Sequence, residues 1–207
     1  MSTIDLSGKL ITLEGLDYTG KSTIVEILVE RLRAEGHHVV ATREPGGTPV
    51  GEKARKLLLT LDHREMLPLS ELLLFMVSRA QHVHELILPA LDSGACVLTS
   101  RHRLSSMAYQ GYGRGISLDL IRQLNEATTE GRRPDLTLLI DVPVETALAR
   151  KRGEGDRIEQ EDRDFYERVR TGYLELTAHD PRAKVIDGTP SIAQIAQEIY
   201  EELDRTF

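Results

Sequence analysis

The chain has 207 residues, 40% hydrophobic and 29% charged, the composition of an ordinary globular protein of one domain rather than of a disordered chain. Its 26 basic against 33 acidic residues give a formal net charge of −7, and it has one cysteine, which excludes a global basic field for nucleic acid and an internal disulfide framework. No run approaches the ~20 apolar residues that span a bilayer, and Met1–Gly8 has neither a basic flank nor an apolar core, so a cytoplasmic protein with no nucleic-acid or membrane partner is expected.

Short apolar runs alternate with longer helical patterns along the whole chain. Lys9 to Leu13 reads as a buried strand and Gly15 to Gly20 as a loop. Ser22 to Ala34 carries Ile24, Ile27, Leu28 and Leu32 at helical spacing, and Gly36 ends that helix. His38 to Thr42 is a second strand. Ser70 is placed to cap a helix running towards Leu88, with Pro89 kinking or breaking it. Cys96 to Ser100 is a third strand, and Cys96 reads as a buried small hydrophobe. Ser117 can cap a helix to Glu130 that Gly131 stops. Leu136 to Asp141 is a fourth strand, followed by Pro143 where a helix would begin. Asp162 to Ala178 is helical and Lys184 to Ile186 is a short fifth strand. Ser191 and Gln194 have capping-box spacing before a last helix bearing Ile192, Ile195, Ile199 and Leu203.

Strands that are apolar throughout, alternating with helices, argue for a five-stranded parallel sheet covered on both faces. Such sheets bind ligands beyond the carboxyl ends of their strands. The functional loops are therefore expected after Leu13, Thr42, Thr99 and Asp141. The first holds Gly15-Leu16-Asp17-Tyr18-Thr19-Gly20-Lys21-Ser22-Thr23, the pattern G-x-x-x-x-G-K-S. A chance match in a chain of this length has a probability on the order of 1% from average residue frequencies, and the flanking strand and helix lower it further. The glycines let backbone N–H groups turn towards phosphate oxygens, and the helix N-terminus adds partial positive charge. Lys21 would reach the β- and γ-phosphates, and the Ser22 hydroxyl would ligate the Mg²⁺ that ATP brings. This loop predicts nucleoside triphosphate binding in an α/β/α P-loop NTPase fold but leaves the reaction open. The seven histidines form no ligand cluster; His82 and His84, two apart on a helix, face different ways.

The reaction class comes from the remaining loops. Glu14-Gly15-Leu16-Asp17, Arg43-Glu44-Pro45-Gly46-Gly47-Thr48, Arg101-His102 with Ala108-Tyr109-Gln110-Gly111, and Asp156-Arg157-Ile158-Glu159 follow one another from Leu10 to about Leu176. Together they resemble the thymidylate kinase family, in its bacterial form with a basic lid. The resemblance implies transfer of the ATP γ-phosphate to dTMP by a homodimer packed through helices. It implies that Asp17 binds the acceptor's 3′-hydroxyl and helps order magnesium, and that Arg55 and Arg101 hold the acceptor phosphate, a task suited to the forked, permanently charged guanidinium. Glu44 and Pro45 would line the acceptor side. Phe75 would stack on thymine, Arg79 would bond its O4, Ser106 and Gln110 would complete the base contacts, and Tyr109 would pack beside the sugar. Ser70-Glu71 reads as a helix cap and not as a site. A lid at about 150–161 would bring Arg152 and Arg157, ahead of Arg150, to the transferring phosphoryl group. Asp141-Val142-Pro143 would shape its loop rather than do chemistry.

Two positions depart from the family pattern. Most thymidylate kinases have Asp-Arg where this chain has Ser100-Arg101, which is expected to weaken metal ordering without abolishing chemistry. Tyr18 stands where relatives place glycine or arginine; the simplest expectation is that no positive φ is needed there, and the sharper one that Tyr18 reshapes the acceptor pocket. The competing expectations are a kinase for a modified deoxyuridine monophosphate and a nucleotide-binding homologue with little turnover.

Overall fold

The structure is a computed structural model that describes residues 4–207; part of the Met1–Gly8 stretch read above for targeting signals lies outside them. The strands are β1 (Leu10–Glu14), β2 (Val39–Arg43), β3 (Cys96–Ser100), β4 (Leu136–Asp141) and β5 (Ala183–Asp187). They pair in the order β2-β3-β1-β4-β5, all parallel. The five expected strands are therefore present, with ends shifted by a residue or so.

Alternation along β1 sends its side chains to two different layers. Ile11 and Leu13 pack with Ile24, Leu28 and Leu32 of α1 (Lys21–Ala34) and with Ile195, Ile199 and Leu203 of α9 (Ile192–Thr206). Leu10 faces the other way, against Val83 and Ile87. Helix α8 (Arg163–Ala178) covers β4 on that second face, where Phe165, Tyr166, Val169 and Tyr173 surround Leu139. Burying a large apolar side chain contributes ~1.5–3 kcal/mol, so these two layers hold the sheet between them.

The caps read from the sequence are mostly where expected. Asp162 accepts a hydrogen bond from the Phe165 N–H at 2.8 Å, Ser191 and Gln194 form a reciprocal box, and Gly36 has φ 94° just after α1. Ser117 precedes α6 (Leu118–Thr128), but its side chain makes no capping bond. Ser70 is not a cap: α3 (Pro68–His82) begins earlier, with Pro68 in the first turn and Leu67 before it. Proline pre-sets the φ that a first turn needs, and that wins over the serine two residues later.

Three features go beyond the elements read from the sequence. Helix α2 (Pro49–Leu59) starts at Thr48, whose hydroxyl accepts from the Gly51 N–H. After α3 the winding widens to π over Val83–Ile87 before α4 (Leu88–Asp92). The Leu88 N–H reaches back to the Val83 carbonyl, which accommodates Pro89, a residue that has no N–H to give and whose ring crowds a normal turn. A second π stretch, Met107–Gly113, follows α5 (Arg103–Ser106). No helix of the described residues is long and apolar enough to cross a membrane.

Candidate active site

A cleft of about 360 Å³ opens at the carboxyl ends of β1, β2 and β3. Its phosphate-loop side is Asp17, Tyr18, Gly20, Lys21, Ser22 and Thr23. Glycine is required twice in that loop. A Cβ on Gly15, at φ 139°, would lie 2.5 Å from the Ile140 carbonyl oxygen, and one on Gly20, at φ 84°, would lie 2.3 Å from Ile192. Gly15, Leu16 and Thr19 thus shape the loop from behind the cleft rather than lining it. Tyr18 has φ 64°, which overturns the expectation that this position needs no left-handed backbone. The curl of the loop demands that conformation, and a bulky residue adopts it only at a cost. The Tyr18 ring lines the cleft and its hydroxyl is buried without a well-formed hydrogen bond. Burial, then the neighbouring Glu159 carboxylate, raise its pKa.

Lys21 is 7% exposed, and its ammonium is held within the loop. It donates to the Gly15 carbonyl at 3.2 Å, to Thr19 Oγ1 at 3.1 Å and to the Leu16 carbonyl. Burial, reinforced by the Arg101 charge, pushes its pKa down to about 7.

Arg101 sits where the phosphate loop meets the third-strand loop. Its own backbone is left-handed, at φ 69°. Its guanidinium donates to the Gly15 carbonyl at 3.0 Å, to the Ser105 and Tyr173 hydroxyls at 3.2 Å each, to the Tyr109 hydroxyl at 3.1 Å and to Asp17. Tyr109 also donates to Asp17 at 2.8 Å. Burial alone would raise the Asp17 carboxyl pKa; Arg101, Lys21 and the Tyr109 hydroxyl outweigh it, and the net shift is downwards. Asp17 therefore stays ionised at neutral pH.

The remaining wall comes from the second-strand loop and from helices. Glu44, Pro45 and Arg55 line the cleft with Phe75, Ser106, Tyr109 and Gln110. Arg55 donates to the Pro45 carbonyl at 2.9 Å. The expected acceptor-side residues are thus brought together, with one exception. Arg79 does not line the cleft. It is 1% exposed and donates to Glu44 at 2.8 Å, Ser106 at 3.0 Å, Asn125 at 2.6 Å and the His102 carbonyl at 2.9 Å. In this arrangement it holds two wall residues, Glu44 and Ser106, from behind. A buried guanidinium needs such partners because its desolvation is otherwise uncompensated.

Glu44 anchors a cluster that sequence reasoning missed. His102 Nδ1 lies 2.8 Å and His82 Nδ1 3.2 Å from the same carboxylate oxygen. Burial would raise the Glu44 pKa, but Arg79 and His102 hold it well below the usual carboxylate range. Glu71 was likewise read as cap chemistry only. It is 1% exposed and accepts from Gln110 at 2.9 Å and from Arg114 at 3.0 and 3.1 Å.

The basic segment after β4 keeps its arginines out of the cleft in this arrangement. It follows a short helix, α7 (Val144–Ala149). Arg157 lies 2.7 Å from the Glu71 carboxylate and donates to the Leu58 carbonyl at 2.9 Å, away from the cleft. Arg150 is bound to the Gly188 carbonyl at 3.1 Å, and Arg152 is exposed outside the cleft. The residues of this segment that do line the cleft are Asp156, Ile158 and Glu159. Local basic composition pointed to the arginines, whereas the fold turns the acids inwards. Asp141, after β4, pairs with Arg170 at 2.8 Å and stays out of the cleft. Ser100, the residue that departs from the family pattern, lines the cleft at the end of β3.

Comparison with known proteins bears on the whole of this arrangement. The family model described as thymidylate kinase matches residues 13–199. A thymidylate kinase of Halothermothrix orenii is 47% identical over 203 residues, 96% of this chain and 97% of its own length. That of Kosmotoga olearia is 50% identical over 195 residues, 93% of each chain. The crystal structure of thymidylate kinase from Ehrlichia chaffeensis superposes with a TM-score of 0.80 at 34% identity, covering 94% of this chain and 98% of that one. The architecture is the P-loop NTPase type of α/β fold, and with a match that runs from β1 into α9 the chain belongs to the thymidylate kinase family.

Proposed function

We propose that this chain is an ATP:dTMP phosphotransferase, one kinase domain with a lid at about 150–161. The observation that carries this reading is the meeting of Lys21 and Arg101 at one cleft, either side of Asp17. Lys21 and the loop N–H groups suit the donor's phosphates, and Arg101 with Arg55 suits the acceptor's. A phosphate oxygen of dTMP attacks the γ-phosphorus while the bond from that phosphorus to the β,γ-bridging oxygen breaks, and ADP leaves. The attacking oxygen is already anionic, so no general base is needed; positioning and charge stabilisation supply the catalysis. The relatives named above are all thymidylate kinases. Neither the modified-deoxyuridine reading nor the non-catalytic one gains support from them.

The donor set fits a magnesium ion delivered with the nucleotide. Ser22, exposed at the first turn of α1, lines the cleft on the phosphate-loop side. When bound, the ion neutralises developing charge on the phosphate oxygens. Arg152, exposed at the tip of the glycine-rich segment, is the arginine free to swing inwards on lid closure. Leu57 on α2, Leu69, Leu73 and Val77 on α3, and Leu120 on α6 are exposed apolar side chains, an arrangement suited to a helix-packed homodimer. A cytoplasmic location agrees with Cys96, a buried free thiol whose pKa burial pushes up to about 12.

ADP release from purified protein with Mg-ATP and a panel of monophosphates tests the reading. Turnover with dTMP should far exceed that with dUMP or dCMP; equal rates with all three would defeat it. Lys21 adds a second expectation. Its depressed pKa leaves it partly neutral above pH 7, and triphosphate favours the charged form. ATP binding at pH 8 should therefore take up protons. Titration calorimetry in two buffers of different ionisation enthalpy should show this as a buffer-dependent heat that Lys21→Met removes.

A further inference from the structure

Glu14 ends β1 and immediately precedes the phosphate loop, yet none of the roles above uses it. It is 0% exposed. Strand alternation sends Leu13 to the α1 face, into the cluster with α1 and α9, and so turns Glu14 to the opposite face. There it accepts three hydrogen bonds. One comes from the His102 backbone N–H at 2.8 Å, one from the Ser105 hydroxyl at 2.5 Å and one from the Tyr173 hydroxyl at 3.3 Å. Those two hydroxyls also lie 2.8 Å from each other, and each accepts from the Arg101 Nη1 group at 3.2 Å. The carboxylate therefore grips Arg101 twice. Through His102 it fixes the backbone just after the left-handed turn at Arg101, and through Ser105 and Tyr173 it fixes the guanidinium.

A buried carboxylate is costly unless donors and cations surround it. Glu14 has both, and it is electrostatically coupled to the two cations Lys21 and Arg101. Arg101 in turn needs support, because the left-handed region disfavours its side chain. The Leu13 carbonyl accepts from the Arg101 N–H at 2.8 Å, so Leu13 and Glu14 clamp the strained residue from adjacent positions of one strand.

We infer that Glu14 is a positioning residue for phosphoryl transfer: acting through Ser105 and Tyr173, it fixes the Arg101 guanidinium relative to the phosphate loop that follows Glu14 directly in the chain. The donor-phosphate loop and the acceptor-phosphate arginine are thereby referred to one buried carboxylate. This rests on the role given to Arg101 under the proposed function.

A double-mutant cycle on the full chain tests it. Glu14→Gln should lower kcat/KM for dTMP on the order of tenfold or more when Arg101 is present, because misplacement by a fraction of an ångström is enough to slow a positioned reaction. With Arg101→Ala already in place, the same substitution should cost less than about threefold, since coupled sites are non-additive. Tyr173→Phe and Ser105→Ala remove one hydroxyl each, leave the charge buried as before, and carry the same cycle should Glu14→Gln fail to fold. Tyr173 does not touch Lys21, so Tyr173→Phe should raise KM for dTMP and leave KM for ATP within about threefold. Equal losses in both backgrounds would overturn the inference, whatever their size. An Arg101→Ala single variant with an undiminished rate would instead remove the functional reading of Arg101, and this inference with it.

Discussion

Arg101→Ala should lower kcat/KM for dTMP by about 10³-fold, some 4 kcal/mol of transition-state stabilisation, with melting temperature measured alongside. The size follows from where the charge sits. Arg101 is half-buried at the junction of the two loops, so its field on a phosphate oxygen is screened less than that of a surface arginine. Its donors are pre-oriented by Gly15, Asp17, Ser105, Tyr109 and Tyr173, so little reorganisation is needed as charge moves. Arg101→Lys should recover only a small part of the loss. One ammonium cannot replace a planar fork that spans Asp17 on one side and two hydroxyls on the other. The variant also leaves the Asp17 carboxylate with Lys21 as its main remaining counter-charge, so a lower melting temperature is expected. A loss of activity that merely tracked the loss of fold would count against a direct role. Steady-state kinetics well below the melting temperature separates the two effects.

The parts of this site that were legible in the sequence are those whose chemistry is local. The phosphate loop announces itself because its G-x-x-x-x-G-K-S pattern is contiguous, although the groups that crowd a Cβ at Gly15 and Gly20 are the distant Ile140 and Ile192. The three central strands β1, β3 and β4 are legible because each is an apolar run buried on both faces. Arg79 illustrates the limit. Its identity and helical position were plain, but its partners Glu44, Ser106 and Asn125 come from three other segments, so burial with compensation could not be told from exposure or from ligand contact. Arg157 is similar: a basic, glycine-rich stretch looks like a mobile lid, and only the fold reveals Glu71 waiting for it. Asp156 and Glu159 stand in the same motif, but phosphate chemistry by itself points to the cations, and only the fold turns these acids into the cleft. Tyr18 failed for a different reason. Its backbone conformation is imposed by the loop as a whole, and side-chain propensity alone argues against it.

Ser100→Asp should raise turnover about tenfold at limiting magnesium and much less at saturating magnesium. The family pattern places a carboxylate at this position, and two functions are conceivable for it: holding Arg101, or ordering the metal with its water. The contacts of Arg101 favour the second. Arg101 already has Asp17 as an ionic partner and Glu14 behind Ser105 and Tyr173, so its placement does not depend on residue 100. On the proposed function, metal ordering is then what a carboxylate at residue 100 would add. Ser100 lines the cleft at the end of β3, with Ser22 on another wall of the same cleft, and a carboxylate there would add an oxygen acceptor for a magnesium-bound water. The gain should appear as a lower half-saturating magnesium concentration, with KM for dTMP changed by less than about threefold. Tenfold corresponds to about 1.4 kcal/mol, a reasonable return for one charge-assisted hydrogen bond to a bound water. The added charge also has a cost, because Asp17 is close and already ionised. If the new carboxylate repels Asp17 more than it serves the metal, the rate will fall at every magnesium concentration. A rate that stays flat across the whole magnesium range would show instead that the hydroxyl of Ser100 does as much as a carboxylate could, and that metal ordering here is carried by Asp17 and the nucleotide phosphates alone.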